Sequence, residues 1–193
     1  MSEPTTVLTD YALAAVSAFL GLRLFPYSKF WSVAFLALAL GALLGGTWHG
    51  FWQNDVLWKS TTLLVGVASF GMVAGSAVAL TTGGLRGALI AFALVKLMAY
   101  AAWMLYHDEF IWVVADTASA LLIVAILHAW HFDPWMLSGV AVSVLAGLAQ
   151  ASGFALHERF NHNDLYHVLQ TAAMFLLYRG VRAYASEERS PST

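Results

Sequence analysis

Two short stretches of this chain hold side chains that do chemistry. His162-Asn163-Asp164-Leu165-Tyr166-His167 opens the last hydrophobic run, Val168 to Tyr178, and Gly45-Gly46-Thr47-Trp48-His49 closes the second one. Imidazoles at one depth on different membrane helices point to a metal or a hydrolytic site, because no helix needs them in order to span. Asp164 and His167 are three apart, and Asn163 and His167 are four apart, so each pair shares a helical face. A catalytic zinc takes three protein ligands and keeps one position for a water, whose pKa falls toward ~7. His49 and His167, joined by His162 or Asp164, meet that demand. Metal ligation is therefore expected of His49, His162 and His167, with Asp55 and Asp164 as the carboxylates that orient a ligand or take a proton. Plainer readings stand beside this one. Asn163 and Asp164 are also what a helix start requires. His107, His157 and His162 also suit a solvated boundary, and His128 and His131 an interfacial edge.

The elements that position these groups follow from composition. Of 193 residues, 60% are hydrophobic and 10% charged, with a mean hydropathy of +0.71. Soluble domains carry about 25% charged residues. The expectation is an all-α polytopic membrane protein. Absence of cysteine removes disulfides, thiolate metal sites and cysteine nucleophiles. The net charge of −2 and the lack of a basic stripe exclude a nucleic-acid partner. Met1 to Asp10 lacks a positive n-region and carries Glu3 and Asp10, so it does not read as a cleaved signal peptide.

Seven runs are long enough for the ~20 apolar residues a span requires. They are Thr6–Leu24, Phe30–Trp52, Ser60–Leu80, Leu85–Tyr106, Phe110–His128, Pro134–His157 and Asp164–Val181. The short breaks between them force antiparallel neighbours and leave room for one domain only, residues 1–185, followed by a polar tail over 186–193. Arg23, Lys29, Arg86, Arg179, Arg182 and Arg189 fall on one side of this bundle; only Lys59 and Arg159 fall on the other. The positive-inside rule then puts the N-terminus outside and the C-terminus in the cytoplasm. All eight tryptophans fall near segment ends and read as interfacial anchors. Five of the seven histidines (His49, His107, His157, His162 and His167) collect on the outer side, with Gln150, Gln170 and Asp116 in the outer third. Lys96 and Asp116 sit at depth on segments four and five, where each charge costs at least ~2.5 kcal/mol, so they are expected to pair. Gly66, Gly71, Gly75 and Ser76 on segment three predict close helix packing.

Seven spans, an outside N-terminus, a histidine ending segment two and a histidine motif opening segment seven resemble the CREST superfamily, which includes alkaline ceramidases and adiponectin-receptor-like proteins. Its pattern is Ser-x3-His in segment two, an aspartate in segment three and His-x3-His in segment seven. His49 matches the segment-two histidine and His167 the second histidine of segment seven. The serine position is Gly45, the first histidine of the last motif is Asn163, and Asp55 precedes segment three rather than lying in it. The resemblance implies an intramembrane zinc and metal-assisted hydrolysis of a lipid amide or ester, with a membrane lipid as substrate. Two alternatives stay open. Haem binding in a multi-pass cell-membrane electron-transfer protein would use His49 with His107 or His157 as axial ligands. A small transporter or receptor without hydrolysis would use Lys96 and Asp116 as a relay.

Overall fold

The computed structural model describes residues 3–158 and 160–187, and all its main elements are helices: α1 (Pro4–Leu24), α2 (Lys29–Gly50), α3 (Asp55–Leu80), α4 (Gly83–Met104), α5 (Phe110–Trp130), α6 (Pro134–Ser152) and α7 (His162–Glu187). Each expected segment corresponds to one helix, with shifted ends. Side-chain caps set several of the starts: Ser28 accepts from the Trp31 N–H, Asn54 from Leu57 and Asp133 from Met136. The expected sixth segment ran to His157, but Gly153, at φ +66°, ends α6 at Ser152. α7 extends into the expected polar tail as far as Glu187; the rest of that tail, with Arg189, and Arg159 lie outside the described residues. Helices α1 to α6 are long and apolar enough to cross a membrane.

Helix-to-helix packing closes a ring in the order α1, α2, α3, α5, α6, α7 and back to α1, while α4 packs outside it against α3. Lys96 on α4 meets Asp116 on α5 at 2.5 Å, and the Tyr100 hydroxyl donates to the Thr62 carbonyl at 3.0 Å. The end of the ring where the chain begins is called here the N-terminal end; there α1, α3, α5 and α7 start and α2, α4 and α6 finish.

The two halves of the ring are filled differently. Leu20, Leu24, Trp31, Phe35, Met136 and Val181 build the core toward the opposite, C-terminal end. Trp31 departs from the anchor role expected of every tryptophan. It is fully buried, because Gly75 on α3 leaves room for its ring: a Cβ there would stand 2.5 Å from Trp31 Cδ1. His128 is 0% exposed at this same end, not at a solvated edge. Its Nε2 lies 3.1 Å from Ser76 Oγ and its Nδ1 3.1 Å from Asp133 Oδ2, tying α3, α5 and the start of α6. The N-terminal half of the ring, by contrast, is hollow.

Candidate functional site

Position in the helix brings the polar groups to the hollow half. α7 opens with a capping box: Asn161 Oδ1 accepts from the Asp164 N–H at 3.3 Å while Asp164 Oδ2 accepts from the Asn161 N–H at 2.8 Å. Two orphan donors are satisfied, and Asp164 is held 1% exposed. One turn on, His167 faces α1. Its Nε2 lies 3.1 Å from Asp10 Oδ1, and its Nδ1 lies 3.1 Å from the Thr9 hydroxyl. Thr9 also lies 3.4 Å from Asp164 Oδ1. On α2, His49 Nδ1 sits 3.2 Å from Glu3 Oε2. Glu3, Asp10, Asp164, His49 and His167 are within electrostatic reach of one another, so three carboxylates face two imidazoles.

Glycine permits this approach. A Cβ at Gly46 would stand 2.8 Å from Tyr11 Cε1 and 2.9 Å from Asp10 Cβ, and one at Gly45 would stand 3.7 Å from Asp10 Oδ1. The Tyr11 hydroxyl, 3.1 Å from Thr47 Oγ1, fixes the same α1–α2 contact. Gly45, the position where the resembled pattern has serine, is therefore the place where α1 delivers a carboxylate.

Behind the cluster lies a cavity of about 360 Å³, within the size range of small-molecule sites. All six ring helices line it and α4 does not. Asp10, His49 and His167 stand in its wall near the N-terminal end; Leu38, Met72 and Met174 form an apolar floor. Trp48, Trp58 and Phe110 flank the mouth as a chain of rings 5.1 and 6.1 Å apart. Among the described residues, the buried lining atoms Asp10 Oδ2, Thr61 Oγ1 and Gln150 Oε1 have no hydrogen-bond partner. Buried polar groups are normally paired, so these three leave hydrogen-bonding capacity turned toward the cavity.

Protons around His167 admit two arrangements. Thr9 donates to Nδ1 and the Nε2–H donates to Asp10; or Nδ1–H donates to Thr9, and Nε2 and Asp10 Oδ1 face each other as two acceptors. The second arrangement holds only with a cation between them, a proton or a metal ion. Glu3 on His49 Nδ1 and Thr9 on His167 Nδ1 are the outer partners that metal-ligating histidines use to leave Nε2 for the ion. Imidazole nitrogens and carboxylate oxygens are donor types that zinc takes, but among the described residues no three His, Asp or Glu side chains converge tightly enough to hold an ion as they stand.

Of the residues singled out by sequence, His49, His167 and Asp164 share one cluster. His162 is half-buried at the first position of α7, and Asp55 is exposed at the start of α3; neither lines the cavity. Of the histidines named for haem beside His49, His107 stacks on Trp103 with centroids 3.8 Å apart, and His157 is exposed in a bridge to Phe160. Asp10, Thr9, Glu3 and Thr61 were not among the sequence-derived candidates. Asp10 had a readable signal, a carboxylate inside an apolar helix. Thr9 and Thr61 had none.

The chain belongs to a family described as a family of unknown function, DUF6962, whose profile matches residues 5–186. No curated protein and no solved structure matches it.

Proposed function

We propose that this chain is an intramembrane hydrolase that cleaves a lipid amide or ester at the Asp10–His167 pair. In this reading all seven helices span, the N-terminal end faces outside, and the site lies in the outer half of a cell membrane. The observation that carries it is a buried carboxylate–imidazole pair in the wall of a mostly apolar cavity. An amphiphile would place its chain on the Leu38–Met72–Met174 floor and its carbonyl beside His167.

In the arrangement where Thr9 donates to Nδ1, His167 donates its Nε2–H to Asp10 Oδ1 and orients that carboxylate. Asp10 Oδ2, which has no partner among the described residues, then takes the proton from the attacking water. Thr61 and Gln150 offer hydrogen bonds to the polar part of the substrate, and the apolar walls exclude bulk water from competing. His49 Nε2, His167 Nε2 and the Asp10 carboxylate are the groups that would hold zinc; when bound, it supplies a Lewis acid and a water of lowered pKa. Asp164 keeps α7 in register rather than moving protons.

The test is metal analysis and a hydrolysis assay on purified protein, with matched amide and ester lipids. About one zinc per chain, lost in His49→Ala and His167→Ala together with hydrolysis, is the expected result. Hydrolysis persisting in both Asp10→Asn and His167→Ala would overturn the assignment of the site. Full hydrolysis without zinc would remove the metal and leave Asp10–His167 as a general-base pair.

A further inference from the structure

The six-helix ring is not equally tight all round. α5 and α6 touch each other far less than any other neighbouring pair in it, and the cavity reaches this seam. Ala118 of α5 and Val144 and Leu148 of α6 line the cavity, yet the same residues are exposed on the outside of the bundle. A residue that borders both an internal chamber and the outer surface marks an opening between them. The glycines of α6 sharpen the point. Gly139 is required by packing, since a Cβ there would stand 2.7 Å from Leu177 Cδ2, whereas a Cβ at Gly147 would meet nothing within 4 Å. Among the described residues no contact accounts for Gly147, which lies in the cavity lining between Val144 and Leu148. Neither side of the seam carries a charged residue there, so what passes is apolar.

We propose that the α5–α6 seam is a lateral portal, kept open at Gly147, through which a single hydrocarbon chain of a membrane lipid passes from the bilayer into the cavity. Both helices are long and apolar enough to span, so the opening faces lipid tails rather than water. The proposal rests on the hydrolase reading only for what becomes of the lipid afterwards.

The experiment uses the full chain in phosphatidylcholine vesicles doped with a fatty-acyl amide carrying a mid-chain diazirine, with crosslinked residues mapped by mass spectrometry. Wild-type protein should be labelled at Ala118, Val144 or Leu148 and also at the cavity floor, Met72 or Met174. Gly147→Trp should cut floor labelling at least about tenfold. Gly87→Trp, on the peripheral α4 and equally free of neighbours, should leave it at wild-type level. Floor labelling undiminished in Gly147→Trp, or wild-type label confined to outer faces such as Phe92 and Val95, would overturn the portal. The wild-type pattern reads out even if the tryptophan variant does not fold. Because labelling needs no turnover, a labelled floor without hydrolysis would sink the enzyme reading and keep the portal.

Discussion

His167 and His128 are built from the same parts at opposite ends of the bundle. Each is a buried imidazole with a carboxylate on one nitrogen and a hydroxyl on the other: Asp10 and Thr9 for His167, Asp133 and Ser76 for His128. His128 is 0% exposed and lines no part of the cavity, and Asp133 Oδ1 is taken by the Met136 N–H at 3.0 Å. Around His167 there is a cavity, and Asp10 keeps an oxygen without a partner among the described residues. A carboxylate–imidazole–hydroxyl chain is therefore not a site by itself. Space beside it and an oxygen without a partner among the described residues are what set the His167 chain apart from the His128 one.

Substitution should pull the two histidines apart. His167→Ala should lower hydrolysis by about 10²–10⁴-fold, the usual worth of a positioned acid–base group, with the melting temperature little changed. His128→Ala should do the reverse, costing about 3–5 kcal/mol by stranding Asp133, while activity per folded molecule is kept; parallel assays and thermal unfolding check both. If His128→Ala abolished turnover in folded protein, the comparison would collapse. Gly46→Ala should cost about 1–3 kcal/mol through its clash with Tyr11 and Asp10, whereas Gly147→Ala should be close to neutral. Thr61→Val, which removes an unpaired buried hydroxyl, should be neutral or stabilising by up to about 1 kcal/mol, yet weaken lipid binding in a fluorescence titration.

Acid offers the finest separation. Burial by itself would push the Asp133 carboxyl up, but hydrogen bonds from His128 and the Met136 N–H outweigh it and hold the group below the usual range. A depressed folded pKa means stability that is present above the unfolded value of ~3.9 and is lost as pH falls through the folded one. Wild-type protein should lose this share of stability only below about pH 4, and Asp133→Asn should lack that step in pH-dependent melting curves.

Much of the fold was legible because hydrophobic runs and breaks are local signals: all seven segments became helices. The end of α6 moved because a glycine C-cap outranks a run of apolar residues that continues past it. Trp31 fooled the boundary rule since burial depends on Gly75, forty-four positions away in sequence. At the site, the histidines were visible and their partners were not. Pairing His167 with α1 required knowing that α7 returns to close the ring, which no spacing within α7 encodes. His162 and Asp55 have the right chemistry and stand near the right end, but the capping box points α7's first turn at its own backbone, and Asp55 opens α3 on the exposed side.

The contact made by Gly46, Tyr11 and Asp10 joins α1 and α2, which are synthesised before α7, where His167 lies. At about 5–20 residues per second, translation places roughly 6–24 s between His49 and His167. The first hairpin can fold early and shelter its carboxylate against its own neighbour. The Asp10–His167 pair, however, comes into being only when α7 docks. Order of assembly thus sets a delay: until α7 arrives, Asp10 is in place on the α1–α2 hairpin and its imidazole partner is not.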